Sequence, residues 1–186
     1  MGCGVGLRVQ PERIHFFRYK QGRQAMKVSK FTAALLACCA LAGTAQAAEY
    51  MEQSERIKGR SYSPAVVTEG GRIVWLAGET TTTDLNGKDI KGDFEAQART
   101  VFALIDQTLR RAGGSLRDVV SMTAYLTDAR NGATFSKVRK EMFPDGNYPA
   151  SAQITVSNLA VPGMQVEVQA VAVIGDRCVK GTCLAK

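Results

Sequence analysis

Two carboxylates in this sequence could do chemistry together, Glu79 and Glu167. A carboxylate pair in one cleft can divide acid and base work, one holding a proton while the other orients water. Glu79 follows Gly78 at the head of a threonine-rich loop, and Glu167 lies within the alternating run Gln165 to Val173. The competing reading makes Glu79 an exposed loop residue and Glu167 a hydrogen-bonded member of a sheet face. Ser151 is a possible nucleophile, but it would need a lysine or a carboxylate as base. Cys178 and Cys183 bracket four residues near the C-terminus. In an exported chain, two cysteines so spaced read as a disulfide closing a small loop, with Lys180-Gly181 at its turn.

The charge of the chain decides which other chemistries remain. Its 186 residues carry 24 Lys and Arg against 17 Asp and Glu, a formal net charge of +7 that would suit an anionic partner. The excess is concentrated at the N-terminus. Met26-Lys27-Val28-Ser29-Lys30 is basic, Phe31 to Ala42 is apolar, and Ala45-Gln46-Ala47 supplies small residues for cleavage. That order predicts a secretory signal peptide over residues 26–47 and a periplasmic or secreted protein. Residues 1–25 read as an over-long extension or as translation from an upstream Met. Leu35-Leu36-Ala37-Cys38 also resembles a lipobox, so a lipoprotein anchored through Cys38 is the alternative location. Cleavage after Ala47 removes seven of the 24 basic and one of the 17 acidic residues, leaving 17 and 16, a net +1. His15, the single histidine, and three of the five cysteines leave with it. These losses exclude a histidine-based triad, a histidine-ligated metal site and an electrostatic nucleic-acid binder. No later segment approaches the roughly 20 apolar residues of a membrane span. What remains is a small-molecule cleft that needs no cofactor and no metal.

The positioning elements follow from periodicity. Residues 48–62 are polar and predict a flexible start. Ala65 to Thr68 and Ile73 to Ala77, separated by Glu69-Gly70-Gly71-Arg72, predict a hairpin. Phe94, Ala98, Val101, Ile105, Leu109 and Ala112 fall three or four apart and predict a helix that follows Asp93, whose charge with that of Glu95 suits its N-terminal end, and that stops at Gly113-Gly114. Val119 to Thr127 alternates, with Val120, Met122, Ala124 and Leu126 on its buried face. A second helix, begun at Asn131, carries Phe135, Val138 and Met142. Strands over Ala152 to Ser157 and Gln165 to Val173 complete a ββαβαββ order. The fold class is α+β, one sheet with both helices on its apolar face. Its other face is expected to carry Ser121, Thr123, Tyr125, Gln153, Thr155, Gln165, Glu167 and Gln169. Short uncharged polar residues of this kind suit contact with further copies of the chain.

From residue 63 to 174 the chain resembles the Rid family, the YjgF-type reactive intermediate deaminases. The resemblance rests on Ser63-Pro64-Ala65-Val66, Leu76-Ala77-Gly78-Glu79, Phe94-Glu95-Ala96-Gln97-Ala98-Arg99, Ala112 to Val120, Tyr125-Leu126-Thr127-Asp128, Tyr148-Pro149-Ala150 and Val166 to Val173, in order. It implies a chorismate-mutase-like fold, a homotrimer, and small-molecule clefts between subunits in which imines and enamines are hydrolysed without a metal. It implies a backbone contact from Gly78 and a water-orienting role for Glu167, and Glu79, Tyr148, Ser151 and Gln153 are expected to line the same cleft and bind substrate. RNA cleavage, a reading also attached to such proteins, sits poorly with a net charge near zero. Two positions depart from the family pattern. Ala65 stands where the family has a tyrosine, and Ser151 stands where it has the arginine that grips the substrate carboxylate. Losing that charge-assisted bidentate contact removes roughly 2 to 5 kcal/mol of binding. The sequence therefore points away from 2-iminocarboxylates toward a neutral imine, enamine or carbonyl compound. The alternative is a non-catalytic trimer that binds or senses a metabolite. Residues 175–186 form a tail with the expected disulfide.

Overall fold

The computed structural model describes residues 48–178 and 181–184. The expected signal peptide, its cut after Ala47 and the lipobox at Cys38 lie outside the described residues. Strands β1 (Glu49–Tyr50), β2 (Val66–Val67) and β3 (Arg72–Trp75) precede helix α1 (Phe94–Arg111). Strand β4 (Val119–Leu126), helix α2 (Gly132–Met142), β5 (Ala150–Thr155) and β6 (Val166–Ile174) follow. The main sheet has the order β3-β6-β4-β5, antiparallel except where β4 and β5 run parallel across the α2 crossover. Among the described residues no helix is long and apolar enough to cross a membrane.

Helix α1 forms where its periodicity places it. The Asp93 carboxylate accepts from the Ala96 backbone N–H at 3.0 Å, and Gly113, at φ 83°, ends the helix with a residue that tolerates left-handed backbone. Its stripe Phe94, Ala98, Val101, Ile105 and Leu109 is buried against Met122, Ala124 and Leu126 of β4 and Val166, Val168 and Ala170 of β6. Phe102 stacks on Phe135 of α2 at 5.8 Å and meets Phe143 edge-on at 6.1 Å, which joins the two helices over one face of the sheet.

Four expectations are corrected. Ala65 to Thr68 and Ile73 to Ala77 do not form a hairpin: β2 pairs with β1 and β3 pairs with β6. Gly70 and Gly71 both have φ 76°, and a Cβ on Gly71 would meet Val173 Cγ1 at 2.8 Å, so the chain turns between two sheets there. In β4, Val119 rather than Val120 is fully buried, because a bulge between Val119 and Ser121 shifts the alternation. Residues 48–62, expected to be loosely attached, instead contribute β1 and the buried Ala48, Ile57 and Ser61. The Glu49 carboxylate anchors this start by accepting from the N–H groups of Gly181 (2.7 Å), Cys183 (2.9 Å) and Leu184 (2.8 Å). Gly181 and Cys183 belong to the loop closed by the Cys178–Cys183 disulfide, and Leu184 follows it directly. Composition missed the attachment because Glu49 has a polar reason to be buried.

The fourth correction concerns β5. Residues paired across parallel strands share a side, and Ser151 pairs with Met122, Gln153 with Ala124 and Thr155 with Leu126. Ser151, Gln153 and Thr155 therefore face the helices. Ala152 and Ile154 join Ser121, Thr123 and Tyr125 on the open face, and Gln165 precedes β6. The open face is less polar than expected, since it also carries Ile73 and Trp75, 55% and 77% exposed, and Ile154, 44% exposed.

Candidate functional site

The sheet separates the candidate site residues into two groups. Glu167 and Gln169 project from β6 to the open face, beside Tyr125 of β4. Gly78 lies against Glu167 closely enough that a Cβ there would overlap the carboxylate oxygen Oε1. With Asn158 and Leu159 these residues line an open depression of about 360 Å³. Gly78 thus serves by having no side chain, leaving its backbone next to the carboxylate.

Glu79 does not join Glu167. It forms an antiparallel bridge with Val168, its N–H donating to Val168 O at 2.9 Å and its carbonyl accepting from Val168 N at 3.0 Å. Bridged residues share a side, and Val168 points into the core, so Glu79 is directed away from the face that carries Glu167. Glu79 and Glu167 are therefore not paired within one copy, and among the described residues Glu167 is the one acid lining its depression.

Loop positions around Glu167 are set by Gln97, a fully buried side chain on α1. Its amide nitrogen donates to Ile90 O at 3.0 Å and Gly163 O at 2.9 Å, and its Oε1 accepts from Gln165 N at 2.9 Å. One glutamine therefore fixes the loop after β3 and the loop leading into β6. Thr80 Oγ1 adds a bond to Val166 O at 2.7 Å.

The second group lies on the other side of the sheet. Ser151 and Gln153 of β5, the outer face of α2 and residues 59–62 enclose a cavity of about 720 Å³. Residues 61–63 run beside the start of β5, with Ser63 bridged to Ala150 and its N–H on Pro149 O at 3.3 Å. Gly132, at the start of α2, lets the Gln153 amide approach, since a Cβ there would lie 2.5 Å from Nε2. Tyr148 packs against the core at the edge of this region.

At the base of the cavity is a residue the sequence reading passed over, Arg139. Its Nη1 donates to Ser151 Oγ at 2.6 Å and its Nε to Ser61 Oγ at 3.1 Å, while Ser61 Oγ donates to Ser136 O at 2.9 Å. The guanidinium carbon lies 5.4 Å from the Phe135 ring centre and 6.0 Å from that of Tyr62. Arg139 is 3% exposed, and burial pushes its guanidinium down to about 10, partly offset by Tyr62 and Tyr148. It remains cationic at neutral pH. A signal was present: Arg139 follows Phe135 by four and Val138 by one, placing an arginine inside the apolar stripe of its helix.

Comparison with known proteins places the fold in a family. The model of the family described as Endoribonuclease L-PSP matches residues 54–174. A RutC family protein of Pyrococcus horikoshii is 33% identical over 111 residues, covering 60% of this chain and 85% of that protein. Protein DfrA of Myxococcus xanthus is 32% identical over 130 residues, covering 69% of this chain and 96% of its own. A Rid-family structure from Yersinia pestis superposes with a TM-score of 0.59 at 26% identity, covering 67% of this chain and 97% of that one. The match begins before residue 63 and takes in the segment that carries Ser61 and Tyr62. Over residues 54–174, with two helices on a mixed sheet, this chain belongs to the Endoribonuclease L-PSP family of YjgF/RidA proteins.

Proposed function

We propose that this protein is an exported, homotrimeric RidA-like hydrolase that cleaves a small imine, enamine or related carbonyl compound in clefts shared between copies. The observation that carries the reading is the Gly78–Glu167 contact: a carboxylate held against a side-chain-free backbone, on a sheet face open to a second copy. Glu167 would orient water toward the electrophilic carbon and take up its proton, and the Gly78 backbone would help position the substrate. Ser151 and Gln153 lie on the opposite side of the sheet, so one site can use both groups only if they come from two copies. Ile73, Trp75 and Ile154 give the open face the apolar area that association requires. RNA cleavage, which the family description names, finds no support in 17 basic against 16 acidic residues over 48–186.

The test is ammonia release from a panel of neutral and anionic imines by wild-type protein and a Glu167→Ala variant. The expected loss is about 10²- to 10⁴-fold. Equal turnover by the two proteins, or none by either, would reject hydrolysis by Glu167. The serine at position 151 favours a second reading, a non-catalytic metabolite binder. A ligand recovered unchanged after long incubation would support it.

A further inference from the structure

We propose that Arg139 and the Ser151 hydroxyl, with Ser61 bracing the guanidinium, form an anion-binding subsite that takes the carboxylate of a small ligand. Helix α2 would then supply the cation that β5 lacks at position 151. The inference deepens the functional reading above, since Ser151 belongs to the same cleft, but it is read by binding alone.

A guanidinium taken out of water requires either a counter-charge or a full set of acceptors. Arg139 has neither. None of the ion pairs among the described residues involves it. Of its five N–H groups, one on Nε and one on Nη1 meet hydroxyl oxygens, and Nη2 bonds to no described residue. Among the described residues the Ser151 hydroxyl donates to no acceptor, so its proton is available to a bound group, whereas Ser61 Oγ already donates to Ser136 O and braces the guanidinium. Among the described residues, the cavity onto which the guanidinium opens is also lined by Arg60, Lys137 and Lys140 and by no Asp or Glu. Lys137 is partly answered by Glu95 at 3.7 Å, outside that lining. The position explains the serine: an arginine at 151 would crowd the guanidinium already 2.6 Å from Ser151 Oγ. A planar carboxylate, which accepts two parallel N–H bonds, is the ligand group this donor arrangement fits. The expectation of a neutral ligand, drawn from position 151 alone, is thereby replaced.

The experiment uses butyrate and its neutral isostere butyramide as probes, titrated into isotopically labelled protein while the Arg139 Nε–H resonance is followed. Butyrate is expected to shift that resonance and to bind at least 10-fold more tightly than butyramide. Arg139→Lys should weaken butyrate about 10-fold, and Arg139→Gln should abolish the preference. Because Arg139→Gln could unfold the chain, Ser151→Asp is the second variant. It places a carboxylate beside the guanidinium and should leave the protein folded while eliminating butyrate binding. Equal binding of the two probes, no binding of butyrate, or butyrate binding unchanged in Ser151→Asp would overturn the proposal. Turnover is not measured, so failure of hydrolysis and failure of anion binding are separate results.

Discussion

Glu167 and Arg139 show what a single residue reveals in sequence and what it hides. Glu167 is the polar member of an alternating strand, and its place on the open face follows from that alternation. Arg139 was not singled out because arginines on surface helices are common, and only its register with Phe135 and Val138 marks it as buried. Glu79 illustrates the opposite error: adjacency to Gly78 suggested a partnership that strand alternation forbids, because neighbouring strand residues face opposite sides. Gly78 yields a residue-scale prediction. Gly78→Ala should displace the Glu167 carboxylate and lower turnover by about 100-fold. Its thermal stability should stay near wild type, since the added methyl meets only the end of a flexible side chain. Steady-state rates alongside a melting curve check both halves of this expectation.

At the scale of elements, the helices and the central strands β4 and β6 were readable because each buries one regular stripe. The edges were not. β2 and β5 are short or exposed, so their patterns did not fix which neighbour they pair with or which way they face. Register supplied that information for β5 and moved Ser151 and Gln153 across the sheet. The β1 segment also gives a pH dependence. Tyr50 is pushed up to about 12, first by burial and then by the charges of Asp118 and Asp176, and its hydroxyl lies 3.4 Å from Arg117 O. Below pH 10 both folded and unfolded chains keep this phenol protonated. Between about pH 10 and 12 the unfolded chain ionises first, so the folded state loses up to roughly 2 kcal/mol. Urea midpoints at pH 9 and pH 11.5 should therefore fall further for wild type than for Tyr50→Phe. Parallel behaviour of the two proteins would show that Tyr50 ionises alike in both states.

The whole molecule poses a problem that one copy does not solve. Gly78 and Glu167 occupy the open face of the sheet, whereas Ser151, Gln153 and Arg139 occupy the helix side of its β5 edge. A cleft that uses both must be assembled between copies, with the acid of one facing the cation and hydroxyls of the next. Composition does not reveal this division, which depends on three-dimensional register. The direct measurement is complementation. Glu167→Ala and Ser151→Asp proteins, each inactive alone, would be co-expressed and the mixed oligomers assayed for imine hydrolysis. In a ring of three with random mixing, about a quarter of the interfaces combine an intact Glu167 with an intact Ser151. Recovery of about a quarter of wild-type activity is the expected result. Activity no higher than the sum of the two parent variants would contradict a site shared between copies.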